Sequence, residues 1–114
     1  MNDQQVQYAV KLSKKLMGLV RADKDRQMKR EELENLATDI LFFQTEFVKV
    51  KIDAEQAFRL RIREIIEKEG TSFAAAENKA MTEECYVIYK KINHIWDLAE
   101  EKIRLLKIML GSSY

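Results

Sequence analysis

The chain is poor in the residues that interrupt helices. Its 114 residues include no proline and only three glycines, whereas an average protein of this length has about six prolines and eight glycines. Charged residues make up 34% of the chain and hydrophobic residues 46%, which is too apolar for a disordered tail. These values together predict long helices with charged surfaces.

Cysteine and long apolar runs are also scarce. The single cysteine, Cys85, excludes a disulfide framework or a zinc site built from cysteines, and it is typical of a reducing cytosol. No run approaches the roughly 18 apolar residues of a transmembrane helix. The N-terminal stretch also lacks the apolar core of a secretory signal. We therefore expect a cytoplasmic protein that is not embedded in a membrane and has no cofactor.

The clearest pattern in the chain is a heptad repeat. Its apolar positions alternate by three and four residues: Leu33, Leu36, Ile40, Phe43, Phe47, Val50, Ala54 and Ala57. At Ala57 the row shifts by one residue to Phe58 and continues through Ile62 and Ile65, and such a shift locally unwinds a helix or turns its face. This pattern predicts one helix over about 30–69, ended by Gly70 in the C′ position.

A third helical segment follows Gly70, with Thr71 or Ser72 as its cap. Apolar residues recur at helical spacing between Met81 and Leu110, which predicts a helix over about 72–110 that ends at Gly111. Thr82 followed by two glutamates is a second candidate start, which allows a kink near Met81.

A shorter helix is predicted at the N-terminal end. Over about 3–21, most apolar side chains fall on one helical face, although Gly18 weakens the prediction by about 1 kcal/mol relative to alanine. The stretch 22–27 has no apolar side chain larger than alanine. We interpret it as a break with Asp23 or Asp25 as N-cap, the alternative being a solvated part of one continuous helix.

The lengths of the helices constrain the fold. A helix of about 38 residues is about 57 Å long, whereas a compact domain of this size is roughly 34 Å across. The expected fold is therefore all-α, a single domain over 1–114. It is an elongated three-helix bundle, in which an antiparallel hairpin of 30–69 and 72–110 is half covered by the shorter N-terminal helix.

Part of the apolar surface of this hairpin has no cover in the chain. Self-association is the simplest way to bury it, so we expect a homo-oligomer. The candidate interface residues are the apolar and aromatic positions Phe43, Phe47, Tyr89, Trp96, Ile103 and Leu110.

Basic residues on the second helix are candidates for nucleic-acid binding. They are Lys49, Lys51, Arg59, Arg61 and Arg63. A basic row of this kind can follow the phosphates of a single strand, in a way that depends steeply on salt. The alternative is that Glu55 pairs with Arg59 and that the other basic residues form a solvated face.

Signals for an enzyme are weak. Two carboxylate pairs, Glu64 with Glu67 and Asp97 with Glu100, loosely resemble those of all-α nucleotide pyrophosphatases, without the order and spacing of that family. Cys85 and His94 lie about 13 Å apart along one helix, too far for shared metal coordination within one chain. We therefore expect no catalytic or metal site.

The second half of the chain resembles small phage-encoded helical proteins. The segment 59–70 (RLRIREIIEKEG) ends in glycine, 74–80 (AAAENKA) follows it, and a helix over 86–110 closes the chain. This layout is similar to that of the recombination mediators of T-even-type phages. The resemblance covers about half the chain and carries over no functional residue. It implies an oligomer that binds single-stranded DNA and assists recombinase loading.

Three functions of different classes remain open. The first is a non-enzymatic helical assembly or adaptor protein, an accessory factor in phage or prokaryotic DNA metabolism. The second is a single-stranded nucleic-acid-binding protein that uses basic helix faces, and the third is a metal-dependent nucleotide hydrolase.

Overall fold

The computed structural model of the chain describes residues 1–22 and 27–111. Four helices follow one another: α1 (Asp3–Val20), α2 (Arg30–Glu69), α3 (Phe73–Ala80) and α4 (Glu84–Met109). Within these described ranges there is no strand. The predicted all-α class and the long hairpin are confirmed.

Local hydrogen bonds explain where the helices begin and end. Asn2 caps α1, since its side chain accepts from the Gln5 N–H at 2.8 Å while the Gln5 side chain accepts from the Asn2 N–H at 2.9 Å. The Ser72 hydroxyl accepts from the Ala75 N–H at 3.2 Å at the start of α3. Gly70 and Gly111 both have positive φ angles, 64° and 71°, so both are C′ glycines, as predicted.

The predicted break between the first two helices lies between Val20 and Arg30. The residues proposed as its cap, Asp23 and Asp25, lie outside the described residues. α2 itself starts after Lys29, whose N–H donates to the Glu32 carboxylate at 3.3 Å.

The third predicted helix is wrong as a single element, because the structure divides 72–110 into α3 and α4. The Thr82 hydroxyl donates to the Lys79 carbonyl at 2.7 Å, and the N–H groups of Thr82 and Glu83 bond to carbonyls three residues earlier, at 3.1 and 3.0 Å. A threonine side chain that bonds nearby backbone competes with the helical ladder. The bundle therefore has four helices, with the break at the predicted kink.

The helices form an elongated bundle. α2 runs antiparallel to α3 and α4: Arg30 at its start donates to the Leu110 carbonyl at 3.0 Å, and the Phe58 ring packs at a tilt against Tyr86 with centroids 5.2 Å apart. The described residues extend over 58 × 26 × 22 Å with a radius of gyration of 17.7 Å, against about 13 Å for a compact domain.

The apolar core has two parts along the length of α2. The main core lies between α1, α2 and α4 and includes the fully buried Leu16, Phe47 and Leu106. The tip core lies between α2 and α3 and consists of Phe58, Ile62, Ile65, Ala76 and Ala80. Six of the eight heptad positions are buried, and Phe43 and Ala57 are half-buried.

The shift in the heptad repeat has a structural counterpart. The residues before it, up to Ala54, belong to the main core, and those from Phe58 onward belong to the tip core. The shift therefore turns α2 from its contacts with α1 to its contacts with α3. In the part of the chain that the structure describes, no helix combines the length and hydropathy needed to cross a bilayer.

Candidate interaction surface

Among the described residues, α1 covers only one side of the α2–α4 hairpin. On that side the Tyr8 hydroxyl donates to the Glu46 carboxylate at 3.1 Å and Ala9 lies beside Ile92. We call the side away from α1 the open face. Its side chains are Leu41, Gln44, Val48, Lys51, Ile52, Glu55, Phe58, Arg59, Ile62, Arg63, Ile66 and Glu67 on α2, Phe73 and Glu77 on α3, and Tyr89, Trp96, Glu100, Ile103, Arg104 and Lys107 on α4.

A groove of about 740 Å³ lies on the open face near Gly70; it is called here the tip groove. Its apolar wall includes Phe58, Ile66 and Phe73, and Phe73 is 60% exposed. The rim carries three carboxylates and two guanidinium groups: Glu55, Glu67, Glu77, Arg59 and Arg63. The groove is thus apolar inside and slightly acidic overall.

Three aromatic rings hold α2 against the start of α4 beside this groove. Phe58 stacks on Tyr89 with centroids 5.5 Å apart and planes 17° apart, and it packs at a tilt of 35° against Tyr86 with centroids 5.2 Å apart. Tyr86 and Tyr89 are three residues apart on α4, so both reach the same ring. Each such aromatic pair stabilises the fold by about 0.5–1.5 kcal/mol beyond the burial of its surface. These contacts therefore fix the position of Phe58 and Tyr89, which line the groove.

The other end of the open face has a smaller hollow of about 360 Å³, here called the basic basin. It is lined by Gln44, Glu100, Ile103, Arg104 and Lys107, so two cations face one carboxylate. Gln44 is only 8% exposed, although it is polar. Between the two concavities the Lys51 ammonium lies 4.5 Å from the centroid of the Trp96 ring.

A row of exposed apolar side chains runs along the α2 edge of the open face. Leu41, Val48 and Ile52 are 39%, 40% and 47% exposed. They are spaced by seven and four residues, and the same row continues at helical spacing to Glu55 and Arg59 in the tip groove. The row is therefore continuous with the groove.

The structure does not bring the five predicted nucleic-acid-binding residues to one surface. Lys51 lies against Trp96, and Arg59 pairs with Glu55 at 2.8 Å. Arg61 lies on the α1 side of the hairpin. Lys49 and Arg63 are exposed, and only Arg63 reaches the tip groove.

Arg61 has a different role, which sequence reasoning did not anticipate. Its guanidinium donates to both Glu83 carboxylate oxygens, at 2.6 and 3.0 Å, and contacts Glu64 at 3.4 Å. The hydrogen bonds from Arg61 lower the pKa of Glu83, and those to Glu83 raise the pKa of Arg61. Arg61 therefore links α2 to the connection between α3 and α4, in which Glu83 lies.

The six predicted interface residues divide into two groups. Phe47, Ile103 and Leu110 are 0%, 7% and 1% exposed, so the structure assigns them to the core of the chain and not to its surface. Tyr89 and Trp96 are half-buried on the open face. Phe43, also half-buried, faces α1, where the Lys15 ammonium lies 5.5 Å from its ring centroid.

The residues considered for catalysis or metal binding are dispersed. Glu64 pairs with Arg61 near the tip, whereas Glu100 lies in the basic basin. Cys85 is half-buried, and burial raises the pKa of its thiol. Over residues 1–22 and 27–111, no group of three or more His, Cys, Asp or Glu side chains is placed to hold a metal ion.

Several residues of the open face, including Gln44, Ile52 and Phe73, were not among the predicted site residues, and only some of them have a signal in the sequence. Gln44 belongs to a row that repeats every seven residues, Ala37–Gln44–Lys51–Phe58, which marks the flank of α2 facing the outer side of α4. The exposure of Phe73 depends on the position of α3, which the apolar spacing does not specify.

The comparisons with known proteins add no relative. No family model, no curated protein and no solved structure matches this chain. Function is therefore argued from the open face alone.

Proposed function

We propose that the chain is a non-enzymatic helical assembly module that self-associates through its open face. The observation that carries this proposal is the row of exposed apolar side chains Leu41, Val48 and Ile52, which leads past the Glu55–Arg59 ion pair into the tip groove. Exposed apolar side chains scattered singly are normal, but a row that leads into an aromatic groove is typical of a protein-binding surface. We place this module in the cytoplasm, and its accessory role in phage or prokaryotic DNA metabolism is part of the same proposal.

The dimensions of the surface support this proposal. A stable interface buries about 800 Å² on each partner, and the open face runs along a molecule 58 Å long and more than 20 Å wide. The open face is rich in aromatic residues: Trp96 is half-buried beside Lys51, and in the tip groove Tyr89 is half-buried and Phe73 exposed. Aromatic residues in such positions are the usual anchors of protein–protein contacts.

Charge favours protein over single-stranded nucleic acid as the partner. The three carboxylates on the rim of the tip groove outnumber its two guanidinium groups, and phosphates are repelled by such a rim. Arg59 and Arg61 are already bonded to glutamates. We expect a labelled oligonucleotide to bind weakly at low salt and not at physiological salt.

Light scattering over a range of protein concentrations tests the proposal. We expect a mass above that of one 13.4 kDa chain at micromolar concentration. The variant Ile52→Glu should shift the equilibrium toward monomer, because it places a charge in the apolar row. Leu60→Glu is the matched control: Leu60 is 55% exposed but lies beside Met1 and Arg61 on the α1 side.

Two outcomes contradict the proposal. One is a monomer mass at all concentrations with an intact helical spectrum. The other is dissociation by Leu60→Glu with none by Ile52→Glu, which would place the contact on the α1 side.

A further inference from the structure

We infer that two copies of the chain pair antiparallel through their open faces, about a two-fold axis that crosses the middle of α2. This inference rests on the proposed self-association and specifies its geometry. The partner is a second copy because the open face is complementary to itself in three respects: the position of its apolar side chains along α2, its charge and its register.

The first respect is position along the helix. α2 runs from Arg30 to Glu69, so its midpoint falls between residues 49 and 50. The two most central exposed apolar side chains, Val48 and Ile52, lie on either side of this midpoint and are 40% and 47% exposed. A two-fold axis at the midpoint brings Val48 of one copy to Ile52 of the other. It also overlaps the two molecules along their full length, which buries the most surface.

The second respect is charge. Toward the tip, the open face carries Glu55, Glu67 and Glu77 against two arginines. Toward the other end, the basic basin carries Arg104 and Lys107 against one carboxylate. An antiparallel pair places each basic basin on the partner's acidic tip groove, whereas a parallel pair places like charges together. Like charges across an interface are costly and select against that arrangement.

The third respect is register. Glu55 lies about 8 Å beyond the midpoint of α2, and Gln44, which shares the basic basin with Arg104, lies about 8 Å before it, at 1.5 Å per residue. The axis therefore brings the basic basin of one copy to the same level along the dimer as Glu55 of the other, whose carboxylate also pairs with Arg59 of its own chain. An isologous contact of this kind forms twice in each dimer.

Cross-linking of single cysteines tests the geometry, in a Cys85→Ala background and with a short bismaleimide. Ile52→Cys should link to itself, because position 52 lies next to the axis. Leu41→Cys should not, because two copies of a residue about nine positions from the axis are about 27 Å apart along an antiparallel pair. Leu60→Cys, on the α1 side, is the control for random collision and should not link.

The outcomes separate this inference from the proposed function. If light scattering shows a dimer and Leu41→Cys links to itself, the copies are parallel and the inference is wrong while self-association stands. If the dimer forms and Ile52→Cys does not link, the open face is not the contact. A monomer at all concentrations overturns both.

A charge exchange provides a second, independent readout. Arg104→Glu alone and Glu55→Arg alone should each raise the dimer dissociation constant about tenfold or more, as close interfacial charge pairs do. The double variant should recover most of the affinity, because both copies of the contact are then reversed. Additive losses in the double variant would contradict the proposed register.

Discussion

At the residue scale, two phenylalanines five positions apart on α2 have opposite environments. Phe47 is completely buried in the main core, whereas Phe42 is 59% exposed and touches Phe43 edge-on at 5.1 Å. Phe47→Ala should lower the free energy of unfolding by about 3–5 kcal/mol, because it removes a buried ring and leaves a cavity. Phe42→Ala should cost about 1 kcal/mol or less. Urea unfolding followed by circular dichroism, at one protein concentration, compares the two; equal losses would contradict the assignment of Phe47 to the core.

The ion pair of Glu83 makes stability depend on pH. The pKa of Glu83 in the folded chain lies below its ordinary value of 4.5, because Arg61 donates to the ionised carboxylate. A depressed carboxylate pKa contributes stability above the ordinary pKa, and this contribution is lost as the pH falls through the folded-state value. Glu83→Gln should therefore unfold more easily than wild type at about pH 7, with the difference shrinking below about pH 4.

Thermal unfolding of wild type and Glu83→Gln over this pH range provides the measurement. Glu101→Gln, an exposed change on α4, controls for the removal of one charge. A difference between wild type and Glu83→Gln that stays constant with pH would show that Arg61 does not act through the ionised carboxylate.

At the scale of the elements, two glycines should respond to alanine with opposite signs. Gly70 has φ of +64° at the end of α2, and a Cβ there would meet no neighbouring atom, so the cost of alanine is purely conformational, about 1–2 kcal/mol. Gly18 lies inside α1 and is equally unobstructed, so Gly18→Ala should stabilise by about 0.5–1 kcal/mol. Melting temperatures of the two variants test this, and a loss of stability in Gly18→Ala would contradict it.

The elements also show how far the sequence alone could predict this fold. The course of α2 follows from its heptad row, because burial of one apolar stripe dominates the energetics of a long helix, and its end follows from Gly70. The break after Ala80 was predicted only as a kink. It depends on the Thr82 hydroxyl and on the Arg61–Glu83 pair, and residues 22 positions apart cannot be paired from spacing.

The candidate site was predicted less completely than the fold. Tyr89 and Trp96 could be identified from their seven-residue spacing. Ile103 has the same spacing but is buried, and this difference in exposure depends on the rotation of α4 about its axis relative to α2. A small rotation of a helix decides whether a side chain at the edge of its apolar stripe is buried or exposed. The spacing alone does not show this rotation, and for that reason Ile103 and Leu110, which are buried, were predicted as interface residues.

At the scale of the whole molecule, the open face predicts the shape of the assembly. One chain is 58 Å long, and pairing along the open face thickens the particle without lengthening it. Small-angle X-ray scattering of the proposed dimer should give a maximum dimension of about 70–75 Å, the diagonal of a pair that is as long as one chain and twice as thick. A maximum dimension near about 120 Å, twice the length of a 40-residue helix at 1.5 Å per residue, would indicate end-to-end contact and exclude pairing along the open face.

The division of the core into two parts has a consequence for motion. The tip core has five buried residues, two of them alanine, and α3 packs mainly against the last turns of α2. A region with so few buried contacts opens at lower free energy than the rest of a protein. We expect the amides of α3 and of the last turns of α2 to exchange with deuterium together, as one cooperative unit, while those around Phe47 exchange only on global unfolding. We therefore expect the tip of the hairpin to unfold and refold locally while the main core stays folded.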